Sequence, residues 1–568
     1  MSVLVLIAWQ FLFPPPERKV PERVEQTQSE ATPTTTAKEQ PPAEKPVKTE
    51  DATVPRAREI SKAQLGSADL EPIEKVEAHD VVIETDLYRC IMSTSGGGIK
   101  KFELNKFRVE PNPKSAPVEM AGGLIPGAML PLTMDLDIGG KLLPPSAVFS
   151  TKTTDLDLSS ESTPAKGVIK MSITTRAGLE VIRKYTFNRG SYKIDFEMEV
   201  RESPAATEEV LSQTVPVEMT VHWNTPVAVS KAKSRFTFYG IVAHVGEKYV
   251  SKRVPDVRKK GPFRFNSADW AGFADGYFLS VLVPQDSVIR EVIAGIEGPE
   301  GKEVVAEELV LSAGEIQPGK PYRRRMTLYI GPKDHQRLLS MGKDLEAAVG
   351  YGRLKAIVVP LLWVLRLFNR LVDNWGLSII LLTVFVKILF FPLTHKSFQQ
   401  MKAMQALQPR IKEIQQKYKD DREKMNTEMM ALYRAHKVNP VGGCLPMLLQ
   451  LPVLYALYRA LYVGLELRHA PFIWWINDLS TPERLFTLPI MGGVSIGFMP
   501  LLMGASMYVQ QKMTPTATAD PMQAKMFMAM PVIFTFMSFG FPSGLVLYWF
   551  VSNLLTIIQQ YVINRRGT

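Results

Sequence analysis

The sequence predicts an α+β membrane protein, in which a β-sandwich domain precedes a core of five transmembrane helices. Residues 376–393 form a largely apolar run that is uncharged except for Lys387, and about 20 apolar residues are enough to span the hydrocarbon core of a bilayer. Between residues 78 and 332, short segments alternate apolar and polar residues, which is typical of half-buried strands. Further apolar segments that predict spans follow at residues 441–463, 488–509, 524–541 and 544–563.

The net charge of +10 and the cysteine content narrow the possible functions. The cations gather beside the apolar segments, as the positive-inside rule expects, so we expect no direct recognition of nucleic acid. Cys90 lies in a strand-like segment and Cys444 begins an apolar one, so a disulfide bond between them is not expected. The cysteine spacing also fits no zinc or iron–sulfur site.

The N-terminal region is predicted to be a membrane anchor followed by a linker. Residues 3–13 are apolar but extend only about 17 Å as a helix, which is less than the thickness of the bilayer core. We interpret residues 1–13 as an anchor with its start trimmed, and a core-like segment is the alternative. Residues 14–77 are rich in Pro, Thr, Glu, Lys and Gln, a composition that predicts a disordered linker.

Residues 78–350 form the predicted β-sandwich domain. From Tyr192 to Arg201, apolar residues occupy every second position, as in an antiparallel strand with one buried face. The glycines at 96–98 are expected to separate two strands, and residues 334–349 are expected to form one helix that closes the domain. The same strand pattern occurs at residues 168–175, 179–187, 217–223, 276–283 and 322–330.

Residues 351–375 are predicted to form an amphipathic helix in the membrane interface. Within an otherwise apolar stretch, the polar residues have the spacing i, i+3, i+4 and i+7, which places them in one stripe along a helix. The alternative is a helix that packs against the sandwich. The stripe consists of Arg366, Asn369, Arg370 and Asp373.

Residues 396–437 are predicted to form a cytoplasmic αα-hairpin. Apolar residues recur at helical spacing from Met401 to Tyr418, the pair Asp420 and Asp421 interrupts the pattern, and a second helix follows. The many charges are typical of a solvated face, whereas the Met-rich stripes also suit adaptable binding. The positive-inside rule places residues 395–440, 510–524 and the C-terminus in the cytoplasm and the β-domain on the other side.

Lys387 is the main candidate for a functional residue. On insertion scales, a lysine deep in a membrane helix costs about 2.5–3.5 kcal/mol, so such a residue usually faces a cavity lined by water or protein. The alternative is that the side chain extends its ammonium to the interface. Along a helix, the lysine lies roughly 8 Å before Pro392. Its side chain would therefore have to extend far to bring the ammonium to the interface.

The other predicted spans contain only mildly polar residues. Asn553, Thr556 and Gln560 share one helix face, and with Lys387 they could line a hydrated groove. Taken singly, such residues more often form interhelical hydrogen bonds. The predicted groove residues are Lys387, Gln450, Ser506, Asn553, Thr556 and Gln560, and Ser552 and Gln559 add polarity to the last span.

Several function classes lack their usual motifs in this sequence. The predicted spans contain no Asp or Glu, which argues against a proton-coupled transporter. There is no nucleotide-binding glycine loop, nucleophile elbow or metal motif, so the sequence predicts neither an enzyme nor a bound cofactor or metal.

Long segments of the chain resemble the YidC/Oxa/Alb family of membrane protein insertases. The most specific of these segments lie in the C-terminal third, and the similarity extends upstream through the first span and more loosely into the β-domain. The segments are NPVGGCLPMLLQLPVLYALY (439–458), QKMTPTATADPMQAKMFMAMPVIFTF (511–536), FPSGLVLYWFVSNLLTIIQQ (541–560), NWGLSIILLTVFVKILFFPLT (374–394) and GYFLSVLVP (276–284).

The resemblance implies the Gram-negative form of the family. That form has an N-terminal anchor, a periplasmic β-supersandwich, and five helices in the inner membrane that enclose a groove open to the cytoplasm and to lipid. Lys387 takes the position of the basic residue of the groove, which is usually Arg in the family. A lysine keeps the charge but lacks the planar, bidentate guanidinium. The insertase core is then residues 376–568.

The function implied is that of an insertase and membrane chaperone. Its expected partners are nascent membrane proteins, the lipid bilayer, the Sec translocon and the ribosome. One alternative is a solute transporter or channel with Lys387 as an anion site, which solute flux in liposomes would reveal. Another is a sugar-binding or sugar-modifying protein, which purified residues 75–332 would test.

Overall fold

The structure is a computed structural model of the chain. It describes residues 70–73, 76–123, 128–204, 213–228, 238–299, 301–436, 438–439, 445–488, 494–513 and 521–566. The predicted anchor at residues 1–13, most of the predicted linker and Cys444 lie outside the described residues.

The strand-rich domain contains two large sheets, as the alternation of residues predicted. A 5-stranded sheet has the order β4-β3-β2-β1-β7, and a 14-stranded sheet runs β6-β5-β11-β17-β16-β14-β15-β19-β10-β9-β8, with β12, β13 and β18 attached beside this path. The strands are β1 Asp80–Thr85, β2 Tyr88–Ser93, β3 Ile99–Arg108, β4 Pro117–Ala121, β5 Thr133–Ile138, β6 Lys141–Leu143, β7 Asp155–Leu158, β8 Lys166–Thr174, β9 Leu179–Asn188, β10 Lys193–Glu202, β11 Val215–Pro226, β12 Gly240–Val245, β13 Lys248–Arg253, β14 Phe263–Ala274, β15 Phe278–Pro284, β16 Ile289–Glu297, β17 Val304–Leu311, β18 Gly314–Ile316 and β19 Tyr322–Pro332.

Strand β10 shows how the alternating pattern produces the core. Phe196 is buried and lies opposite Tyr185 of β9 and Met326 of β19, which are buried as well. On the other face of the strand, Glu199 accepts a hydrogen bond from Nε of Arg323 at 2.9 Å. Successive side chains of a strand point to opposite faces, so one residue set fills the core while the other forms surface ion pairs.

The glycine turn between β2 and β3 is fastened to the large sheet. Gly96 and Gly97 have φ angles of 70° and 60°, a conformation that glycine adopts without strain. The buried guanidinium of Arg183 donates to the carbonyl of Gly96, and the hydroxyl of Tyr185 donates to that of Gly97 at 2.9 Å. A Cβ on Gly97 would lie only 2.8 Å from Nη1 of Arg183.

The prediction of one helix over residues 334–349 was wrong. The α-helix ends at Met341, Gly342 caps it, and a short 3-10 helix follows at Leu345–Val349. Between them, Lys343 and Asp344 have positive φ angles, so the helical path cannot continue. The indole N–H of Trp270 donates to the carbonyl of Lys343 at 2.9 Å and so stabilises this break.

The C-terminal part of the chain is mostly helical, as predicted, but the span predicted at residues 488–509 was wrong at its start: Phe486–Leu488 and Val494–Ile496 pair as two short antiparallel strands there, and the helix begins at Phe498. Among the described residues, two helices, Trp375–Ala406 and Ser543–Ile563, are long and apolar enough to cross a membrane, and Met528–Ser538 is a shorter apolar helix. The α-helices of the chain are α1 Val254–Lys260, α2 His335–Met341, α3 Lys355–Val372, α4 Trp375–Ala406, α5 Gln408–Lys417, α6 Arg422–Ala435, α7 Leu445–Val463, α8 Phe498–Met513, α9 Pro521–Ser538 and α10 Ser543–Arg566.

Helix α4 is longer than the predicted span. It continues through Pro392 to Ala406 and so includes the first residues that were assigned to the hairpin. Proline is tolerated inside membrane helices where other groups satisfy the freed backbone carbonyl. Two residues after Pro392, the hydroxyl of Thr394 donates to the carbonyl of Phe390 at 3.0 Å. Helices α5 and α6 follow, and Asp421 caps α6 by accepting the backbone N–H of Lys424 at 3.0 Å.

The segment between α7 and α8 joins the helices to one another. Glu466 forms a 2.6 Å ion pair with Arg366 of α3, and the side-chain amide of Asn374, at the start of α4, donates to the carbonyl of Phe472. The carboxylate oxygens of Glu483 accept the first two backbone N–H groups of α8, at 2.9 and 2.8 Å. This segment therefore contacts α3 and the first residues of α4 and α8.

Candidate functional site

The candidate site is built on one face of α10. Ser552, Asn553, Thr556 and Gln560 are buried there, while Leu554 and Ile558 on another face are exposed. The spacing i, i+1, i+4 and i+8 places these residues on one side of the helix, because the helix has 3.6 residues per turn. In a membrane helix, such a stripe faces other helices and not lipid.

Lys387 of α4 lies against this stripe. Its ammonium donates a hydrogen bond of 2.8 Å to the hydroxyl of Thr556, and that hydroxyl donates to the carbonyl of Ser552 at 2.7 Å. The lysine side chain is half-buried, whereas its neighbours Ile388 and Leu389 are 67% and 61% exposed. The lysine therefore faces the helices, and the adjacent apolar residues face outwards.

A second contact joins α4 and α10 further along the same faces. The side-chain amide of Gln559 donates to the hydroxyl of Thr394 at 2.9 Å. Thr394 was not among the predicted groove residues. Its position seven residues after Lys387 places it on the same helix face, and this spacing could have identified it.

The stripe also contacts α7 and α8. Gln450 of α7 donates to the hydroxyl of Ser552 at 2.7 Å, and the amide of Asn553 donates to the hydroxyl of Ser506 in α8 at 3.0 Å. The structure thus places Lys387 beside Thr556, and Ser506 beside Asn553. Gln450 reaches the same stripe through Ser552, and Gln560 is buried one turn beyond Thr556.

The electrostatics of the site are those of a single positive charge. Within the described part of the chain, Lys387 forms no ion pair with a carboxylate. An ammonium has three donors, and the hydroxyl of Thr556 accepts one of them. The arrangement can therefore attract an acidic group, and its other hydrogen bonds can hold four helices in register.

The described residues provide no candidate metal-binding site. They contain no group of three or more His, Cys, Asp or Glu side chains that could hold a metal ion. His222 of the β-domain instead lies 2.9 Å from a carboxylate oxygen of Asp135.

Comparison with known proteins shows the family. The family described as "YidC periplasmic domain" matches residues 80–364, and the one described as "60Kd inner membrane protein" matches residues 367–568. The membrane protein insertase YidC of Geotalea daltonii is 36% identical over 568 residues, which cover 100% of this chain and 97% of that protein. The YidC of Pelobacter propionicus is 39% identical over 534 residues, 92% of this chain and 95% of that protein.

A solved structure is also similar to the chain. It is described as an active YidC insertase with the first transmembrane domain resolved, and it is 18% identical, with a TM-score of 0.35, over 88% of this chain and 95% of that one. The assignment to a family rests on the sequence matches alone, which cover both the strand-rich and the helical parts of the chain. The chain is therefore a member of the YidC family of inner-membrane proteins, which are membrane protein insertases and not enzymes.

Proposed function

We propose that the protein moves hydrophobic segments from the cytoplasm sideways into the inner membrane through a hydrated groove whose central cation is Lys387. The observation that supports this proposal is the hydrogen bond of 2.8 Å that holds the ammonium against Thr556, among apolar helices and without a described carboxylate partner. A charge in this setting acts over a longer range than one in water, because the surrounding dielectric constant is lower.

The proposed mechanism needs no nucleotide hydrolysis. The groove, lined by Lys387, Gln450, Ser506, Asn553, Thr556 and Gln560, shortens the apolar path that a polar tail has to cross. Lys387 transiently attracts acidic residues in that tail. The apolar part of the client then partitions into lipid, driven by roughly 25 cal/mol for each Å² of apolar surface withdrawn from water.

The hairpin of α5 and α6 is the proposed site of first contact with clients. A small apolar cluster at its base consists of Met404, Leu407, Ile411 and Val438. Most other side chains of the two helices are exposed, and many are cationic. In the proposed topology, the hairpin and the C-terminus lie in the cytoplasm and the β-domain in the periplasm, so the hairpin can meet the ribosome or a nascent chain, alone or beside the Sec translocon.

Paired clients that differ only in the acidity of the translocated tail test the role of Lys387. The protein is reconstituted in lipid with short two-span clients, and the protease-protected product is measured. Lys387→Arg should retain activity, since it keeps the charge, and Lys387→Ala should reduce insertion of the acidic-tail client severalfold. Lys387→Glu should reduce it further through like-charge repulsion.

The neutral-tail client and a second lysine provide the controls. The neutral-tail client should be much less affected by each substitution, because partitioning alone drives it. Lys512→Gln removes a cation near the end of α8, where the ammonium lies 5.0 Å from the ring of Tyr508, and should leave both clients unchanged. If Lys387→Ala inserts both clients as well as the wild type, the groove-charge mechanism is wrong for this protein.

A further inference from the structure

Residues 469–481, in the segment between α7 and α8, are folded around one buried carboxylate. We call these residues the linking loop. Oδ1 of Asp478 accepts the backbone N–H of His469 at 3.2 Å, near the start of the loop. The same oxygen accepts the backbone N–H and the hydroxyl of Ser480, at 2.8 and 2.6 Å, near the end of the loop. The carboxylate therefore ties the two ends of the linking loop together.

The linking loop holds the start of α10. The carbonyl of Thr481 accepts both the backbone N–H and the hydroxyl of Ser543, each at 2.9 Å. The carbonyl of Leu479 accepts the backbone N–H of Gly544, also at 2.9 Å. The first N–H groups of a helix have no partner within the helix, so these carbonyls pair groups that would otherwise be unsatisfied. The position of the first turn of α10 therefore depends on the shape of the linking loop.

The same loop also contacts the start of α4. The side-chain amide of Asn374 donates to the carbonyl of Phe472 at 3.3 Å, and the ring of Phe472 lies so close to Gly376 that a Cβ there would overlap it. The starts of α4 and α10 are themselves in contact, because a Cβ on Gly544 would lie 3.2 Å from Cδ1 of Ile379. Closely packed groups transmit small displacements, so a change in the loop would be felt at both helices.

The two helix starts lie at similar distances from the candidate site. At 1.5 Å per residue, Lys387 lies about 17 Å from Gly376 along α4, and Thr556 lies about 18 Å from Gly544 along α10. A slip of one residue at the start of α10 would shift Thr556 by about 1.5 Å and rotate it by about 100°. A change of that size would break the hydrogen bond of 2.8 Å between Lys387 and Thr556.

We infer that Asp478 is a positioning residue of the groove: by closing the linking loop, it sets the register of α10 against α4 and so places Thr556 beside Lys387. This role rests on the proposed function, in which Lys387 has to be held in a fixed position. The acceptor oxygen is what the role requires, because all three donors reach Oδ1. Oδ2 lies 4.0 Å from Nε2 of His469, which is too far for a hydrogen bond, so the negative charge is not required.

Chemical cross-linking of α4 to α10 measures the register in the full-length protein in lipid. The reporter substitutions are Thr394→Cys and Gln559→Cys, at two residues that contact each other, and dibromobimane becomes fluorescent when it links the two thiols. Peptide mapping identifies the linked pair, and circular dichroism gives the amount of folded protein. Asp478→Ala removes the acceptor and should lower the cross-linked yield per folded protein severalfold. Asp478→Asn keeps Oδ1 and should restore the yield to the level of the wild type.

Two further variants separate this role from general effects on folding. Ser480→Ala removes only the hydroxyl donor and should give an intermediate yield, so it tests the role even if Asp478→Ala does not fold. Asp137→Ala removes a carboxylate that accepts the backbone N–H of Gly140 at 2.7 Å in a turn of the β-domain, and it should change nothing. A wild-type yield in Asp478→Ala or in Ser480→Ala would overturn the proposal. A loss in Asp137→Ala or in Asp478→Asn as large as that in Asp478→Ala would overturn it as well.

Insertion of the paired clients, measured without the reporter cysteines, distinguishes this role from the proposed function. Loss of cross-linking in Asp478→Ala, together with a larger loss for the acidic-tail client than for the neutral-tail client, supports both. Loss of cross-linking with normal insertion of both clients would support the positioning of α10 by Asp478 and contradict the groove-charge mechanism. Normal cross-linking with impaired insertion would contradict the positioning role and leave the mechanism at Lys387 intact.

Discussion

Thr556 is the one residue whose side chain contacts the ammonium of Lys387 among the described hydrogen bonds. Thr556→Val keeps the shape of the side chain but removes the acceptor. The lysine should then be held less firmly, so insertion of acidic-tail clients should fall severalfold while neutral-tail clients are little affected. Protease protection of paired clients in proteoliposomes measures the difference.

The matched control is a second buried threonine in the same helix bundle. The hydroxyl of Thr383, one helical turn before Lys387 in α4, donates to the carbonyl of Ile379 at 2.6 Å. Thr383→Val removes a hydroxyl of the same kind but leaves the acceptor of the Lys387 ammonium, Thr556, in place. Equal losses in Thr556→Val and Thr383→Val would mean that Thr556 acts only through helix packing.

Glu307 is a buried acid in the core of the β-domain. It is fully buried in β17, opposite Trp223 of β11, and neither carboxylate oxygen has a hydrogen-bond partner among the described residues. Burial raises the pKa of Glu307 well above its usual range, because no nearby charge compensates for the lost hydration. Burial therefore favours the neutral form of this carboxyl group in the folded protein.

The raised pKa of Glu307 predicts how stability depends on pH. The contribution is fully present below the unfolded pKa of about 4.3 and is lost as the pH rises through the folded value, at up to about 1.4 kcal/mol per unit. Glu307→Gln removes this dependence. The unfolding midpoint of the variant should therefore rise relative to that of the wild type between pH 4 and pH 8, as measured by thermal unfolding in detergent.

An exposed neighbour provides the reference for that measurement. Glu308 lies on the other face of β17, and Glu308→Gln should leave the pH dependence of unfolding unchanged. A constant difference between Glu307→Gln and the wild type across this pH range would mean that the carboxylate is hydrated or paired in solution.

The helices differ in how many of their apolar side chains are buried against the rest of the molecule. In α5 and α6, Ile411 is the buried apolar residue, whereas Ala456, Leu457, Ala460 and Leu461 of α7 are fully buried. Local opening costs little free energy where few apolar side chains are buried. Hydrogen exchange should therefore be faster across residues 405–430 than across α7, with both measured in one lipid sample. Equal protection would show that the hairpin is docked rigidly and that capture of clients by its motion is wrong.

At the scale of the whole molecule, the β-domain is expected to be dispensable for insertion. All the proposed groove residues follow residue 375, so a deletion of residues 78–332 that keeps 333–375 should retain insertion of most clients. The measurement is again protease-protected product in lipid. Loss of insertion for every client would make the β-domain part of the mechanism.

The contacts of Arg468 provide a milder form of the same test. Its guanidinium lies 5.3 Å from the ring centroid of Phe278 and donates to the carbonyl of Arg108 at 2.5 Å, so it links the segment after α7 to the β-domain. Arg468→Gln should loosen that link without removing the domain, and insertion should remain near the wild-type level. A loss as large as that of Lys387→Ala would contradict the independence of the two parts.

The sequence by itself determined the class of fold, the family and the buried face of elements such as β10 and α10. Alternation in β10 and the polar stripe of α10 are local patterns, and a backbone of known period converts them directly into buried and exposed faces. The same reasoning selected Lys387 and Thr556 as residues of one site, although it could not say that they touch. The sequence pattern did not predict the break in the helix after Gly342, because helical periodicity continues across that residue.

Only the tertiary structure decided which distant groups become partners. It joined Lys387 to Thr556, added Thr394 to the same face, and left Glu307 in an apolar core although an acid in an alternating strand predicts an exposed position. The physical reason is that a local pattern sets the direction of a side chain, whereas its partner depends on how elements far apart in the chain pack.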